Sequence, residues 1–449
     1  MSKIIQKPVL SRASRKYLYC VAPMLMLTAC AGMQFAGDAA NPIAELDAIS
    51  ASLSPSEREA LKRVYREGER NAVLNFNELG IAALEAQHFS VAELAFNESI
   101  QRIEKIYAND ANAKKAKSVF AAERVKDFKG EPYERAMAYY YRGLLYARAG
   151  DYQNARASFL SADYQDTVAE KEEYQGDFGL MNYLAAWSSS CDGDKPKAMD
   201  LLKSGIQKDS SIGALSAVKP MLYIFEAGQG PMKGTAGKQK EVLTFSPRAG
   251  AIDIPQPIAS TKNGAATWVK SGDVVYQALT RGGRPIQGIM NGKAQMKEGT
   301  EVAGGAMLQV GMQSALFGAL GGNDSMASAG SAMAGLGALI SIVSNAMVAT
   351  ADTREWVSLP EAVYLYEESV LPANSTSVKT QFTSSSGGGG EAVMQYWGKQ
   401  GSCAVAWGRS RTNQIDQDNR KLEVSNKPRD DNFRKELIQK LASQESKPL

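Results

Sequence analysis

Histidine is almost missing from this chain: among 449 residues there is one, His88. A Ser-His-Asp triad has only that candidate base, and it falls between Gln87 and Phe89, where a helix-to-helix turn is expected. A solvent-facing turn residue is the reading for it. Cysteine is scarce as well, with Cys20, Cys30, Cys191 and Cys403 the whole complement. One histidine and dispersed cysteines leave no metal-ligand spacing, so no metal and no cofactor are expected. An excess of either charge is also lacking. Five of the 51 lysines and arginines precede Cys30 with no acidic residue among them, which leaves 46 basic against 48 acidic residues beyond that point, a net −2. Such a balance gives no electrostatic footprint for nucleic acid. The apolar run Tyr17–Leu27 is too short for a spanning helix, which needs about 20 residues, and Pro23 interrupts it.

What the N-terminus does hold is a basic stretch (Lys3, Lys7, Arg12, Arg15, Lys16), that short apolar core, and then Leu27-Thr28-Ala29-Cys30. These are the parts of a secretory signal, with a cysteine in the position after the cut. The pattern matches a bacterial lipobox, in which the Cys30 thiol receives diacylglycerol. Residues 1–29 are thus expected to be a signal peptide and 30–53 a lipidated tether. An Asp after the lipidated Cys retains such proteins at the inner membrane in enterobacteria-like systems. Ala31 is not Asp, which favours the outer membrane and its periplasmic face. In that oxidising compartment Cys191 and Cys403 form either a disulfide or two separate buried thiols.

Residues 54–210 carry a helical pattern. Ser54-Pro55-Ser56-Glu57 predicts a capping box and a helix start. From Asn71 an internal repeat follows. Phe76, Leu79 and Gly80 precede Ala92, Phe96 and Ser99; Tyr139, Gly143 and Tyr146 precede Ala155, Phe159 and Ala162. Gly-to-Ala separation is twelve and Ala-to-Phe separation four in both copies. That is the arrangement of a tetratricopeptide repeat, in which small residues let antiparallel helices approach and the aromatic is expected to fill the gap to the next hairpin. A third, degenerate copy from about Asp177 would place Ala198, Leu202 and Gly205 after the Cys191–Asp194 turn. Copies stand 63 and 43 residues apart, wider than the usual 34 or so, with Lys- and Ala-rich sequence around 109–130 inserted. Tyr139 and Tyr146 read as inter-helix core; Tyr140, Arg142 and Arg148 are the candidate partner-binding surface.

Beyond Ser210 the periodicity changes. Strands are predicted at Met221–Phe225, Glu241–Phe245, Ala251–Ile254, Thr267–Val269 and Val274–Ala278, making 211–300 a strand-rich segment. Residues 301–351 are dominated by Gly, Ala, Ser and Met, and between 302 and 351 Asp324 is the only charge. Spanning length and small-x-x-x-small spacing permit a membrane hairpin, while weak apolarity favours a packed helical hairpin or an oligomer interface. Residues 352–409 are expected to form antiparallel strands at 363–366, 377–383, 393–397 and 404–407, with a Gly387–Gly390 loop. Residues 410–449 read as a charged, mostly disordered tail in which Phe433, Leu437 and Leu441 could form one docking face. The fold class expected is α+β: a tetratricopeptide-like helical domain, then a strand-rich domain with an inserted Gly/Ala-rich hairpin.

One further motif is Asp352-Thr353-Arg354-Glu355-Trp356-Val357-Ser358-Leu359-Pro360. Asp352, Thr353 and Arg354 suggest a polar network with Trp356 packed beneath it. Together with the lipobox, the imperfect repeats and the Gly/Ala-rich stretch, Asp352, Thr353, Arg354, Trp356, Leu359 and Pro360 resemble an uncharacterised family of proteobacterial outer-membrane lipoproteins with tetratricopeptide repeats. Its members are often encoded near CsgG-like lipoproteins and activators of penicillin-binding proteins. The resemblance implies an envelope location and no established activity. Three functions compete: a non-enzymatic scaffold that binds an envelope protein partner, an oligomeric export subunit inserting through 302–351, and a cell-wall or polysaccharide enzyme. The last would need paired carboxylates in a cleft, for which no motif speaks.

Overall fold

A computed structural model describes residues 42–108, 127–166, 177–215, 218–238, 240–250, 252–260, 264–280, 351–371, 377–397 and 403–445. Cys30, the 109–126 insertion and the Gly/Ala-rich 301–350 stretch lie outside them. The chain divides into two compact units, residues up to Ser52 and residues from Leu53 onward. In the first, the expected tether contains a helix, α1 (Pro42–Ile49), closed by Ser50 N–H donating to Leu46 O at 2.9 Å.

The second unit is mixed α/β, with a helical N-terminal region and a curled mixed sheet in the C-terminal half. Helix α2 (Pro55–Glu67) begins as its capping box predicts: Ser54 Oγ receives Glu57 N–H, and Glu57 Oε2 receives Ser54 N–H at 2.7 Å. Three helical hairpins follow among the described residues: α3 (Ala72–Glu85) with α4 (Phe89–Ala108), α5 (Pro132–Arg148) with α6 (Tyr152–Asp166), and α7 (Gly179–Cys191) with α8 (Lys195–Lys208). Each turns in the same way. His88 N–H donates to Ala83 O, Asp151 N–H to Tyr146 O, and Asp194 N–H to Ser189 O, at 2.9, 3.0 and 2.9 Å. Such a turn puts the residue before the donor in left-handed backbone, and there stand Gln87 (φ 61°), Gly150 (φ 76°) and Gly193 (φ 89°). A side chain at Gln87 strains against its own carbonyl where the other two hairpins carry none. Gln87→Gly is expected to raise stability by roughly 1 kcal/mol, read as a higher urea midpoint with unchanged slope.

The repeat spacing has a direct physical cause. A Cβ built on Gly80 would lie 2.5 Å from the Phe96 ring, and one on Gly143 2.5 Å from Phe159. The aromatic therefore rests on the glycine of its own hairpin, rather than only bridging to the next as expected. Phe96 also stacks on Tyr141 of the following hairpin, with ring centroids 5.4 Å apart. Counted from the turn, Ala186 and Leu202 hold the same places in the third hairpin, and both are buried.

The sheet comprises β4 (Asp253–Pro255), β9 (Ser377–Ser384), β10 (Gly389–Trp397), β11 (Ala404–Arg409), β1 (Met221–Ala227), β8 (Ala362–Glu368) and β7 (Val269–Asp273), in that spatial order. Two small hairpins, β2 (Met232–Ala236) with β3 (Val242–Ser246) and β5 (Ile258–Ser260) with β6 (Gly264–Ala266), stand beside it. The antiparallel pairing expected within 352–409 is present in β9 with β10 and β10 with β11, while β1, from the preceding segment, runs parallel to β11 and antiparallel to β8. Every residue of β1 is buried because both faces are covered, which explains its unbroken apolar run. Met221, Tyr223, Phe225 and Ala227 pack with Trp268, Tyr364 and Met394 on one face. Leu222, Ile224 and Glu226 point the other way; Glu226 meets helix α5 and Glu367 of β8 meets α7.

Two further expectations fail for local reasons. Val274–Ala278 is helical, within α9 (Val274–Leu279), because Asp273 caps it by accepting Tyr276 N–H at 2.7 Å. Its buried Val274, Val275, Gln277 and Ala278 follow a helical rather than an alternating pattern. Residues 410–445 of the tail are ordered and include α10 (Pro428–Glu445), which packs on α4. Phe433, Leu437 and Leu441 are buried as their spacing suggested, and Phe433 meets Phe76 edge-on at 6.1 Å. Asp430, wholly buried, receives Glu69 N–H at 2.9 Å. That apolar contact, with a partner for the buried carboxylate, outweighs the ordering entropy of a charged segment. A terminal helix here also covers the exposed end of a stacked hairpin array.

Candidate interaction site on the helical hairpins

The sequence motif at 352–360 is an extended segment laid against α3 and α5. Arg354 is bidentate to Asp352, with Nη2 2.6 Å from Oδ2, and its Nη1 donates to Asn71 Oδ1 at 2.6 Å. Buried carboxylates receive the backbone that follows. Trp356 N–H donates to Glu134 Oε1 at 3.1 Å and Val357 N–H to Glu78 Oε1 at 2.8 Å, while Ser358 Oγ donates to Glu78 Oε2. The Trp356 ring lies 5.7 Å from Tyr141 and 6.4 Å from Phe96. Leu359 is fully buried and accepts Gly230 N–H at 2.7 Å, and Pro360, with no N–H to satisfy, leads into β8. The expected polar network thus forms around Asp352 and Arg354; Thr353 is exposed and takes no part in it. Sequence reading missed Glu78, Glu134 and Lys233. Their signal was a charge inside helical or strand stretches whose neighbours are buried.

Lys233 and Glu134 make an ion pair at 2.7 Å with both side chains 1% exposed, and Lys233 also donates to Arg354 O at 2.8 Å. Burial raises the Glu134 pKa above the carboxylate range, against the pull of Lys233. Glu78, also buried, is pushed up to about 7, mainly by desolvation. A carboxyl raised on folding favours the folded state fully below about pH 4.5, and that contribution disappears as pH rises through about 7. Glu78→Gln is therefore expected to be more pH-independent than the parent. The parent should lose roughly 3 kcal/mol relative to it between pH 4 and 8, measured by urea unfolding at each pH.

A second buried network joins helices to sheet. Glu226 receives Tyr141 OH at 2.8 Å, Tyr140 OH at 3.2 Å and Trp407 Nε1 at 2.9 Å. Arg409 Nε approaches it at 3.1 Å as an ion pair, without the linear geometry of a hydrogen bond. Arg409 Nη1 reaches Glu85 at 2.6 Å, and Nη2 donates to Ser358 O. Desolvation raises the Glu226 pKa; Arg409 and the three donors draw it back. With every oxygen engaged and no exposure, this carboxylate joins layers rather than reacting. It also corrects the assignment of Tyr140, which is wholly buried and is not a surface contact.

Arg142 is likewise 8% exposed: its Nε donates to Asn97 Oδ1 at 2.7 Å and its guanidinium lies 3.6 Å from the Tyr146 ring centre. Arg148, half-buried, stacks 3.5 Å above Phe89. These two residues are packing contacts between α5 and α4 rather than open surface. They nevertheless lie along the same seam as a half-open groove of about 580 Å³, floored by α5 and walled by α4 and α6. Ile103 and Leu160 give it apolar sides. Tyr139 OH donates to Glu104 Oε1 at 2.9 Å, and Arg135 Nε to Gln165 Oε1 at 2.7 Å, while the Tyr164 ring is 66% exposed. The Tyr139 pKa rises through burial and its bond to Glu104. Tyr139 is buried, as expected from sequence, and also lines the groove.

His88 is half-buried rather than solvent-facing: its Nδ1 sits 2.8 and 2.9 Å from the two oxygens of buried Glu57. Of the two readings for the cysteines, the disulfide is the one present. Cys191, ending α7, bonds Cys403, just before β11, with Cα atoms 5.7 Å apart. Among the described residues no helix is long and apolar enough to cross a membrane, and no His/Cys/Asp/Glu group has metal-binding geometry. Set against protein-family models, curated proteins and solved structures, the chain matches none.

Proposed function

We propose that this protein is a lipid-anchored lipoprotein of the outer membrane whose helical hairpins, of tetratricopeptide type, hold an envelope protein partner. The observation that carries the reading is the groove over α5. Glu134 on α5 and Glu78 on α3 are taken up by the chain's own 352–360 segment, whereas among the described residues the α4–α6 side of α5 carries a half-open groove that can receive another molecule. Stacked hairpins present such grooves on a rigid frame, and a lipid at Cys30 concentrates them at the membrane surface.

Cross-linking in living cells tests this. A discrete partner product is expected from the parent chain and not from Leu160→Asp or Tyr164→Ala, both checked for unchanged melting. The same product from both variants removes the groove from the reading. Cys30→Ala tests the anchor: lipid labelling should vanish and the protein should leave the membrane fraction. If it stays membrane-bound, residues 302–351 are the anchor and the oligomeric export-subunit reading takes precedence.

A further inference from the structure

Among the described residues, the charge that the groove exposes is one-sided. Its cationic member, Arg135, is buried and already donates to Gln165 Oε1 and, through Nη1 at 2.9 Å, to Gly130 O. The hydroxyl proton of Tyr139 is committed to Glu104 Oε1. What the groove still offers is the exposed Glu104 carboxylate, one of whose oxygens accepts from the Tyr139 hydroxyl, beside the lone pairs of the phenol and two neutral groups, the Ser161 hydroxyl and the Gln165 amide. A ligand with a cationic head matches the charge of that carboxylate. An anion would face Glu104, and Arg135, the cation among the described residues lining the groove, is already engaged.

The apolar walls add a second requirement. Ile103, 1% exposed, and half-buried Leu160 border the path to Glu104, and the exposed Tyr164 ring stands at its rim. A chain of methylenes ending in a positive charge meets both demands, with its stem along the aliphatic walls and its head at the carboxylate. An aromatic rim further favours a cation over a neutral donor. Resting on the reading that this groove binds a partner, we infer that it is a subsite for a lysine or arginine side chain of the partner's chain, held by Glu104 and Tyr139.

The test uses the full-length lipoprotein in living cells with the photo-reactive amino acid benzoylphenylalanine at position 160 as the probe. The expected result is a cross-linked partner peptide with Lys or Arg within about two residues of the linked site, its yield falling about tenfold in Glu104→Gln. Glu104 is exposed, and a glutamine oxygen can still accept from Tyr139, so the fold is unaffected; an unchanged melting temperature verifies this. A cross-link of undiminished yield in Glu104→Gln, or one mapping to peptides without a basic residue, overturns the cation subsite and leaves the groove standing. No cross-link from position 160 overturns the groove reading and this inference with it.

Discussion

Replacing Arg409 with methionine is expected to cost about 3–5 kcal/mol, seen as a large fall in the urea midpoint. The guanidinium is 1% exposed and serves three elements at once: Glu85 on α3, Glu226 on β1 and the Ser358 carbonyl of the extended segment. Burial lowers the Arg409 pKa, but Tyr141, Glu226 and Glu85 together raise it above its ordinary value. Methionine fills much of the same volume, so the loss is electrostatic rather than a cavity. It leaves Glu226 and Glu85 without their cation in a low-dielectric interior. A second substitution, Glu226→Gln, should be partly compensating in the Arg409→Met background, because a neutral amide there needs no counter-charge. The double variant is then more stable than the sum of the two singles predicts. A loss below about 1 kcal/mol for Arg409→Met would show that this network does not hold helices to sheet.

Removing the disulfide is the second large effect. Cys191 and Cys403 are 212 residues apart in sequence, so the bond closes a very long loop of the unfolded chain. Loop-closure entropy grows slowly but steadily with such length, and losses of about 2–5 kcal/mol are usual when a native bond is removed. Cys191→Ala/Cys403→Ala should melt well below the oxidised parent and should not respond to reductant, whereas the parent should fall toward it when reduced. Thiol titration of the denatured mature protein provides an independent check. With Cys20 in the expected signal and Cys30 expected to be acylated, no free thiol should be found. Equal melting of parent and double variant would mean that packing around Trp187 and Tyr152, 5.9 Å apart beside the bond, suffices without it.

Much of the helical half was legible because its signals are local. Ser54 and Glu57 lie within one turn, and a glycine needed for close approach to a phenylalanine recurs at the same offset in Gly80–Phe96 and Gly143–Phe159. Strands β1, β8, β9, β10 and β11 were found from apolar runs and alternation. The α9 error came from a short apolar run in which helix and strand differ only by the cap at Asp273. For Tyr140 the error had another origin. Four adjacent residues, Tyr139 to Arg142, are all buried, so helical alternation gave no hint of which faced solvent. Their partners Glu104, Glu226 and Asn97 belong to other elements, one of them more than 80 residues away.

What the sequence by itself determined are the features written in neighbouring residues: the caps, the hairpin repeat, and the docking face of Phe433, Leu437 and Leu441. These depend on backbone geometry and side-chain spacing within a few turns. Tertiary structure alone decided the rest. It seated the 352–360 segment on Glu78 and Glu134, gathered Glu226, Arg409, Tyr140 and Tyr141 into one buried network, and chose the disulfide over two thiols. It also committed Glu78 and Glu134 to the chain's own segment and, among the described residues, left the Glu104 groove half-open. The reason is that burial and long-range pairing are properties of surfaces brought together by the whole fold, and a carboxylate's role changes with whether water or protein surrounds it.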